Sequence, residues 1–235
     1  MNKKSIIEKS AIVLLFLIFV ATSAFLIKRK PINVDKDFTK INLDDAKKVM
    51  FVAHPDDDSI WGGAHLLEDG KDYLVVCITC GEREDRVKEF ISAMERVESQ
   101  YIMLGYPDKT NGKKDDWQTS IEKIHADIDE ILQLKTWDMI VTHNPEGEYG
   151  HIHHKMTSSA VTELADVSKL MYFAKYYKPS LIDDYKADLK ELSDELYQKK
   201  YDLIGVYKTQ DFVYDMFGHM FRYENWIKYE DWNNE

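Results

Sequence analysis

The sequence predicts an α/β fold with a mostly parallel sheet flanked by helices, preceded by an N-terminal transmembrane or signal-anchor helix. Three observations support this prediction. From about residue 47 onward, short apolar runs alternate with amphipathic helical patterns, which is typical of βα units. The apolar runs are continuous, as expected of strands that are buried on both faces of a sheet. A separate uncharged and strongly apolar segment occupies residues 11–27.

Length and composition are those of one globular domain with a short appendage. The 235 residues are 44% hydrophobic and 31% charged, which excludes a collagen-like, low-complexity or mostly disordered chain. The net charge is −11, and because residues 1–30 are basic, the rest of the chain is still more acidic. An acidic body repels a phosphate backbone, so the sequence predicts no nucleic-acid partner.

The N-terminal segment, residues 1–30, is interpreted as a membrane anchor or signal segment. Its apolar run at 11–27 would extend about 25 Å as a helix, near the lower limit for crossing a bilayer. Small residues near the end of the run leave a cleaved signal peptide, and hence a secreted protein, as the alternative. The basic cluster at 28–30 favours retention as an anchor. We therefore expect a polar tether at 31–46 and a folded domain at 47–235 that lies outside the cytoplasm.

Strand and helix patterns alternate in order along this domain. Strands are predicted where apolar runs are bounded by polar residues: Lys48–Ala53, Tyr73–Thr79, Tyr101–Leu104, Asp138–Thr142 and Leu170–Phe173. Helices are predicted by apolar spacing and stop signals at Ser59–Glu68, Asp85–Val97, Ile121–Leu134 and His154–Leu164. The interval from the third strand through Asp116 has the composition of a polar loop. This alternation predicts a Rossmann-like sheet, in which ligands bind at the carboxyl ends of the strands.

Two loops rich in histidine and carboxylate follow strands and are therefore expected at that edge of the sheet. The first is AHPDDD at Ala53–Asp58, and the second is HNPEGEYGHIHH at His143–His154. One histidine and one aspartate from the first loop, with a histidine from the second, make a three-ligand set typical of a catalytic zinc. An aspartate run can also be a solvated turn, and a histidine cluster can be adventitious. Because both follow strands of one predicted sheet, the pattern favours a metal site.

These motifs resemble those of the PIG-L/LmbE-like N-acetylglucosaminyl deacetylases. That family has a strand ending in A-H-P-D-D-E and a later H-x-x-H element, which correspond here to Ala53–Asp58 and Gly150–His154. Three further elements of the family pattern lie between them and a fourth lies near the end: Thr79–Glu82, Arg86–Glu89, Leu104–Asp108 and Tyr207–Gln210. The resemblance covers about residues 47–210.

The resemblance implies metal-dependent hydrolysis of the N-acetyl group of a GlcNAc-containing glycan or glycolipid, with release of acetate and a free amine. It implies that His54, Asp57 and His154 bind Zn²⁺, with Fe²⁺ as an alternative ion. Asp56 is then the general base, and His151 is either the general acid or the oxyanion stabiliser. The alternatives are a metal-dependent amidase that acts on another small sugar conjugate, and a catalytically silent carbohydrate-binding module.

Substrate contacts are implied for Asp108, Arg86 and Tyr149. Each also has a structural alternative, because Asp108 could end a turn, Arg86 could pair with a nearby glutamate, and Tyr149 could be a packing residue. The oligomeric state is not predicted.

Two positions depart from the family pattern. Asp58 stands where the family has the last glutamate of A-H-P-D-D-E, so the charge is kept and one methylene is lost. His153 stands where the family commonly has an aspartate that orients the catalytic histidine. The pKa of His151 is therefore open, and His153 could itself compete as a metal ligand.

Overall fold

The computed structural model describes Phe38 and residues 41–232 of the chain. The strands within these residues are β1 (Lys48–Val52), β2 (Tyr73–Thr79), β3 (Gln100–Tyr106), β4 (Lys109–Thr110), β5 (Lys113–Lys114), β6 (Met139–Thr142), β7 (Leu170–Tyr172) and β8 (Ile227–Lys228). The α-helices are α1 (Asp57–Asp69), α2 (Glu84–Arg96), α3 (Ile121–Gln133), α4 (Ile152–Leu164), α5 (Ile182–Tyr185), α6 (Asp194–Ile204) and α7 (Val213–Phe217). Each strand and helix predicted from the sequence is present, with small differences at its ends.

Six strands form one sheet in the order β3-β2-β1-β6-β7-β8. The central strand β1 is parallel to β2 on one side and to β6 on the other, so that Lys48 pairs with both Tyr73 and Met139. The last strand, β8, pairs antiparallel with β7. The chain builds the sheet outward from β1 in one direction and then from β6 in the other, which makes the β1–β6 junction a topological switch point. The predicted α/β fold with a mostly parallel sheet is confirmed.

Helices cover both faces of the sheet, and each face carries its own hydrophobic core. Successive residues of β1 alternate between the two cores: Met50 and Val52 pack in the first, and Val49 and Phe51 in the second. Helices α1, α2, α6 and α7 contribute to the first core, and α3 and α4 to the second. All seven residues of β2 are buried. Burial on both faces explains why these strands are continuous apolar runs in the sequence.

The segment between β3 and α3, predicted as a polar loop, contains a two-stranded antiparallel hairpin formed by β4 and β5. Its base is closed by the Asp115 N–H, which donates to the Asp108 carbonyl at 2.9 Å. Trp117 follows the hairpin, is fully buried and donates its indole N–H to the Pro107 carbonyl at 2.8 Å. The hairpin is therefore attached firmly to the end of β3.

The chain after β7 packs back onto the sheet. Its aromatic side chains Phe217 and Phe221 are buried in the first core together with Leu203 of α6. Helix α6 lies against α1, where Gly63 permits close contact: a Cβ at that position would lie 3.2 Å from the Lys200 Cγ. The sequence patterns did not predict these elements. Helices α5 and α7 have only 4 and 5 residues, and α6, with 11 residues, is rich in charged side chains.

A buried ion pair joins this C-terminal part to α1. The Lys200 ammonium lies 2.6 Å from Glu224 Oε2, and both side chains are almost completely excluded from solvent. Glu224 also accepts the backbone N–H groups of Ala64 and His65 at 2.9 Å each, and His65 Nδ1 lies 2.6 Å from Oε1. Because both carboxylate oxygens of Glu224 have partners, these interactions offset the free-energy cost of burying its charge.

Glu224 is expected to make the fold sensitive to acid. Burial alone would raise the pKa of this carboxyl, but Lys200 and His65 lower it to about 2 from the usual 4.5. A carboxyl with a depressed folded-state pKa stabilises the fold above its unfolded pKa, and this contribution is lost as the pH falls toward the folded value. In urea titrations, we expect the protonation of Glu224 to lower the free energy of unfolding by roughly 2 kcal/mol between about pH 5 and pH 2.5.

The matched variant is Glu224→Gln, with the exposed Glu122→Gln as control. Glu224→Gln should be less stable than wild type at neutral pH, because Lys200 keeps its buried charge, and should lose less stability on acidification. An acid dependence equal to that of wild type would show that Glu224 does not have the depressed pKa.

The predicted membrane anchor, and the membrane-attached location outside the cytoplasm that was inferred from it, are not supported. No helix among the described residues combines the length and the apolar character needed to cross a membrane. Helices α1 and α2 have 13 residues each, or about 20 Å, and both carry charged side chains. The apolar run at 11–27 on which the expectation depended lies outside the described residues. The fold class is therefore corrected to an α/β domain without an assigned anchor.

Candidate metal and active site

The two loops meet at the carboxyl edge of the sheet because they leave adjacent parallel strands. Phe51 of β1 pairs with Thr142 of β6, so the chain enters both loops at the same level of the sheet. A cavity of about 350 Å³ opens there. Seven of the predicted site residues line it: His54, Asp56, Asp57, Arg86, Asp108, Tyr149 and His151. The remaining one, His154, is fully buried beside them and contacts Asp57.

Asp57 lies between the two histidines that are predicted to share a metal with it. Its Oδ2 is 3.1 Å from His54 Nδ1, and its Oδ1 is 3.3 Å from His154 Nε2. Burial would raise the pKa of Asp57, but the His154 and His143 rings hold it well below its usual range, so the carboxylate is ionised. The structure thus brings together two imidazoles and one carboxylate from two distant parts of the chain.

An unpaired nitrogen shows that these residues fit a divalent metal ion. His154 Nδ1 lies 2.5 Å from Glu148 Oε2, and because a carboxylate only accepts, Nδ1 carries the hydrogen of the neutral ring. The lone pair of His154 is then on Nε2, which is buried and has no hydrogen-bond partner. This lone pair faces a carboxylate oxygen of Asp57. Two acceptors in contact at a buried site are satisfied by a cation between them, and the donor set is one that zinc accepts.

Other combinations of ligands overlap with this set. Within the described residues, the atoms close enough to share an ion form three groups: His54, His151 and His154; Asp57, His143 and His154; and His54, Asp108 and His153. None of the three is the predicted set of His54, Asp57 and His154, in which Asp57 contacts both histidines. His143 is the least suited of these to bind metal, because its Nε2 already accepts the Ala53 N–H at 2.9 Å. His54 and His154 each occur in two of the groups.

His143 and Glu148, to which the sequence motifs assign no role, lie behind the predicted ligands. Glu148 Oε2 accepts from His143 Nδ1 at 2.9 Å as well as from His154, and Oε1 accepts the Asn144 N–H at 3.0 Å. Burial would raise the pKa of Glu148, but the two histidine rings lower it to about 2. A carboxylate behind a metal-binding histidine fixes its tautomer and orientation. The sequence signal that could have identified His143 and Glu148 is their position in the second loop, between β6 and His154.

Asp56 has a strained backbone and a carboxylate that faces the cavity. Its φ of +129° is one that L-residues rarely adopt. Arg86 stabilises this turn: it donates to the Pro55 carbonyl, and its Nη2 lies 3.2 Å from Asp56 Oδ1. Burial and the neighbouring Asp57 raise the pKa of Asp56 well above its usual range, against the opposing effect of Arg86. A carboxyl with a raised pKa is a stronger base than an ordinary aspartate.

His151 precedes α4 and presents a neutral ring to the cavity. Its Nδ1 accepts the His153 backbone N–H at 3.2 Å, which leaves the ring hydrogen on Nε2. Its ring centroid is 4.7 Å from that of His54 and 4.6 Å from that of His154. Burial, followed by the neighbouring His54 and His154, lowers the pKa of His151 to about 2. The ring is therefore placed as a hydrogen-bond donor in its neutral form.

Asp58, the first departure from the family pattern, points away from the cavity. Its carboxylate accepts the Tyr207 hydroxyl at 2.8 Å and the Ser59 hydroxyl at 2.7 Å. Burial raises the pKa of Asp58 to about 6. These contacts connect the first motif, Ala53–Asp58, to the last one, Tyr207–Gln210. Asp58 therefore holds the first loop in place.

The three predicted substrate residues differ in their surroundings. Arg86 is buried and engaged with Asp56, Thr209 Oγ1 at 3.1 Å and the backbone. Asp108 is partly exposed in the cavity, with Oδ1 3.6 Å from His54 Nε2. Tyr149 is 38% exposed, and its ring centroid lies 5.8 Å from that of His151. Asp108 and Tyr149 are thus accessible from the cavity, whereas the guanidinium of Arg86 already has protein partners.

Comparison with known proteins agrees with the fold and the site. Residues 49–165, which contain both loops, match the family described as PIG-L, GlcNAc-PI de-N-acetylase. The chain is 30% identical over 181 residues to an uncharacterised protein of Acanthamoeba polyphaga mimivirus, covering 68% of this chain and 77% of that protein. The mostly parallel α/β fold and the two loops are those of the de-N-acetylase family. The chain belongs to the PIG-L family, and the resemblance inferred from the motifs is confirmed.

Relatives with assigned reactions are more distant. A 1D-myo-inositol 2-acetamido-2-deoxy-alpha-D-glucopyranoside deacetylase of Streptomyces griseus is 28% identical over 159 residues, which cover 52% of this chain and 50% of that enzyme. Among solved structures, the N,N'-diacetylchitobiose deacetylase from Pyrococcus horikoshii matches with a TM-score of 0.56 at 17% identity. That match covers 83% of this chain and 86% of the other, and it shows a shared fold.

Proposed function

We propose that the protein hydrolyses the N-acetyl group of a GlcNAc-containing glycan or glycolipid, with a divalent metal ion held by His54, Asp57 and His154. The main support is the buried, unpartnered Nε2 of His154 facing Asp57 in a cavity that also contains Asp56 and His151. Deacetylases among the relatives support the reaction type. Zn²⁺ is the ion proposed, because two imidazoles and a carboxylate are a typical catalytic zinc set, although the same donors also suit Fe²⁺.

The side chains around the cavity account for each proton in the reaction. A bound divalent cation would polarise the amide carbonyl and lower the pKa of the attacking water. Asp56 takes the proton from that water as the oxygen attacks the carbonyl carbon. His151 donates its Nε2–H to the carbonyl oxygen, where negative charge develops. Asp56 then gives its proton to the amide nitrogen, the carbon–nitrogen bond breaks, and a free amine and acetic acid are released, the acid losing its proton to water to become acetate.

We assign Arg86 a role in addition to the substrate contact that the resemblance implied. Because its guanidinium binds Asp56, the Pro55 carbonyl and Thr209, we assign it to holding the base and its strained turn. The positive charge also opposes the rise in the pKa of Asp56 that burial causes. Arg86 is thus a positioning residue for the base.

The cavity suits an amino sugar because its lining combines polar and apolar side chains. Asp108 can accept hydrogen bonds from sugar hydroxyls. The aromatic rings of Tyr149, Phe212 and Phe217, which also line the cavity, can pack against sugar C–H groups. Phe212 is 52% exposed, so part of this apolar lining reaches the protein surface.

The test is acetate release from N,N'-diacetylchitobiose and from a GlcNAc–inositol glycoside. The protein is first stripped with a chelator and then supplied with Zn²⁺ or Fe²⁺. We expect release only after metal is restored, with a free amine formed in equal amount. Sugar binding without acetate release under any of these conditions would contradict the proposal and support the carbohydrate-binding module. Release from other N-acyl sugar conjugates alone would support the broader amidase.

A further inference from the structure

We infer that His153 is a positioning residue that determines which ring nitrogen of His54 faces the metal. Because the segment of the β4–β5 hairpin holds His153 in place, this segment also affects the affinity for the metal. The inference rests on the proposed metal site. It gives a function to the residue at which this chain departs most clearly from the family pattern.

The two ring nitrogens of His153 have partners that determine its tautomer. Nε2 lies 2.7 Å from the Asp115 carbonyl oxygen, and Nδ1 lies 3.0 Å from His54 Nε2. A carbonyl oxygen only accepts hydrogen bonds, so Nε2 of the neutral His153 ring carries the hydrogen and Nδ1 carries the lone pair. His54 Nε2 must then be the donor in the contact between the two rings.

This assignment has a direct consequence for His54. With its hydrogen on Nε2, a neutral His54 has its lone pair on Nδ1, which lies 3.1 Å from Asp57 Oδ2. Both atoms are then acceptors, as at His154 Nε2, and a cation between them satisfies both. The nitrogen next to the ligand carboxylate is therefore the one able to bind a metal ion. A hydrogen bond to the other ring nitrogen orients a metal-binding histidine and raises its basicity.

The hairpin segment holds His153 in this geometry. The Trp117 ring stacks on His153 with centroids 4.4 Å apart and planes within 2°. Trp117 is fixed in turn by its indole N–H on the Pro107 carbonyl at 2.8 Å and by its backbone N–H on Asp115 Oδ1 at 2.7 Å. His153 is completely buried, so its ring cannot turn toward water to exchange partners.

A second cation is the competing explanation for the same contacts. Asp108 Oδ1 lies 3.6 Å from His54 Nε2 and 3.7 Å from His153 Nδ1, so the three atoms could surround an ion. The hydrogen bond accounts for both ring nitrogens without an ion, whereas no hydrogen bond accounts for His154 Nε2. The geometry therefore favours one metal position, with His153 behind His54.

The experiment measures Zn²⁺ affinity by competition with a chromophoric chelator, together with the number of ions bound per chain. His153→Phe keeps an aromatic ring against Trp117 and removes both nitrogens, whereas His153→Asn places an amide oxygen near the position of Nδ1. His125→Phe, on α3 and outside the cavity lining, is the control. We expect one ion per wild-type chain and an affinity about 10- to 100-fold lower in His153→Phe. His153→Asn should recover much of this loss.

Several outcomes would overturn the inference. Unchanged zinc affinity in a folded His153→Phe, or an equal loss in His153→Asn and His153→Phe, would show that the hydrogen bond to His54 does not matter. Two ions bound to wild type and one to His153→Phe would make His153 a ligand of a second site. Thermal unfolding of the metal-free variants separates a loss of affinity from a loss of folding. If wild type itself bound no metal, the proposed function would fail before this inference was tested.

Discussion

Replacing Asp56 with asparagine is expected to lower kcat for acetate release by roughly 1000-fold, because the amide cannot accept the proton of the attacking water. The substitution is nearly isosteric and keeps an oxygen that can accept from Arg86, which lies 3.2 Å from the carboxylate. Metal binding should change little, because Asp56 is not among the proposed ligands. The KM should also change little, since the proton transfer takes place in the transition state. Steady-state acetate release and zinc content measure these quantities.

Asp116→Asn is the matched control, since it makes the same chemical change on an exposed loop residue. It should retain full activity and full metal content. If Asp56→Asn kept activity within a few-fold of wild type, Asp56 would not be the general base. If it lost zinc together with activity, Asp56 would instead act through the metal site.

Replacing His154 with alanine is expected to remove the metal. The ring supplies the buried Nε2 that has no protein partner, and its loss leaves Asp57 and His54 as the remaining ligands. We expect zinc affinity to fall by more than about 100-fold, which exceeds the effect of a residue that only supports a ligand. Acetate release should fall in parallel at limiting zinc. Chelator competition and metal analysis of the purified protein measure the first effect.

The control for this variant is His219→Ala. His219 is a histidine outside the cavity, and its Nε2 lies 2.8 Å from the Tyr177 carbonyl. It should bind one zinc ion with unchanged affinity. Normal metal content in a folded His154→Ala protein would contradict the proposed ligand set and favour a set without His154.

Much of the fold could be predicted because the signals for it are local. The seven consecutive buried residues of β2 are a continuous apolar run, and the apolar spacing of α3 repeats every three to four residues. The C-terminal elements gave no such signal. Helices α5 and α7 are short, and the packing of this part of the chain depends on contacts such as Lys200 with Glu224. The predicted anchor depended on residues 11–27, outside the described part of the chain, and the described helices do not support it.

The candidate site was predictable in its residue types and less so in its chemistry. The two loops were expected to meet because each follows a parallel strand, and the structure places His54, Asp57 and His154 in contact. The roles of His143 and Glu148 were missed, because a supporting residue is recognised only by what it touches. Arg86 lines the cavity, as predicted, and its additional bonds to Asp56 and Pro55 could not be read from the sequence.

By itself, the sequence determined the order of the strands and helices as far as β7, apart from the β4–β5 hairpin, and the candidate metal-binding residues, because periodicity and short motifs are properties of neighbouring residues. Only the tertiary structure decided which ring nitrogen of His54 and of His154 carries the lone pair that can bind a metal. His154 depends on Glu148 for this, and His54 depends on His153, which is 99 positions away in the chain. Likewise, the Asp58 side chain points away from the cavity because it accepts a hydrogen bond from Tyr207, which lies 149 positions later in the chain. A tautomer or a rotamer is set by partners in space, and no local pattern specifies them.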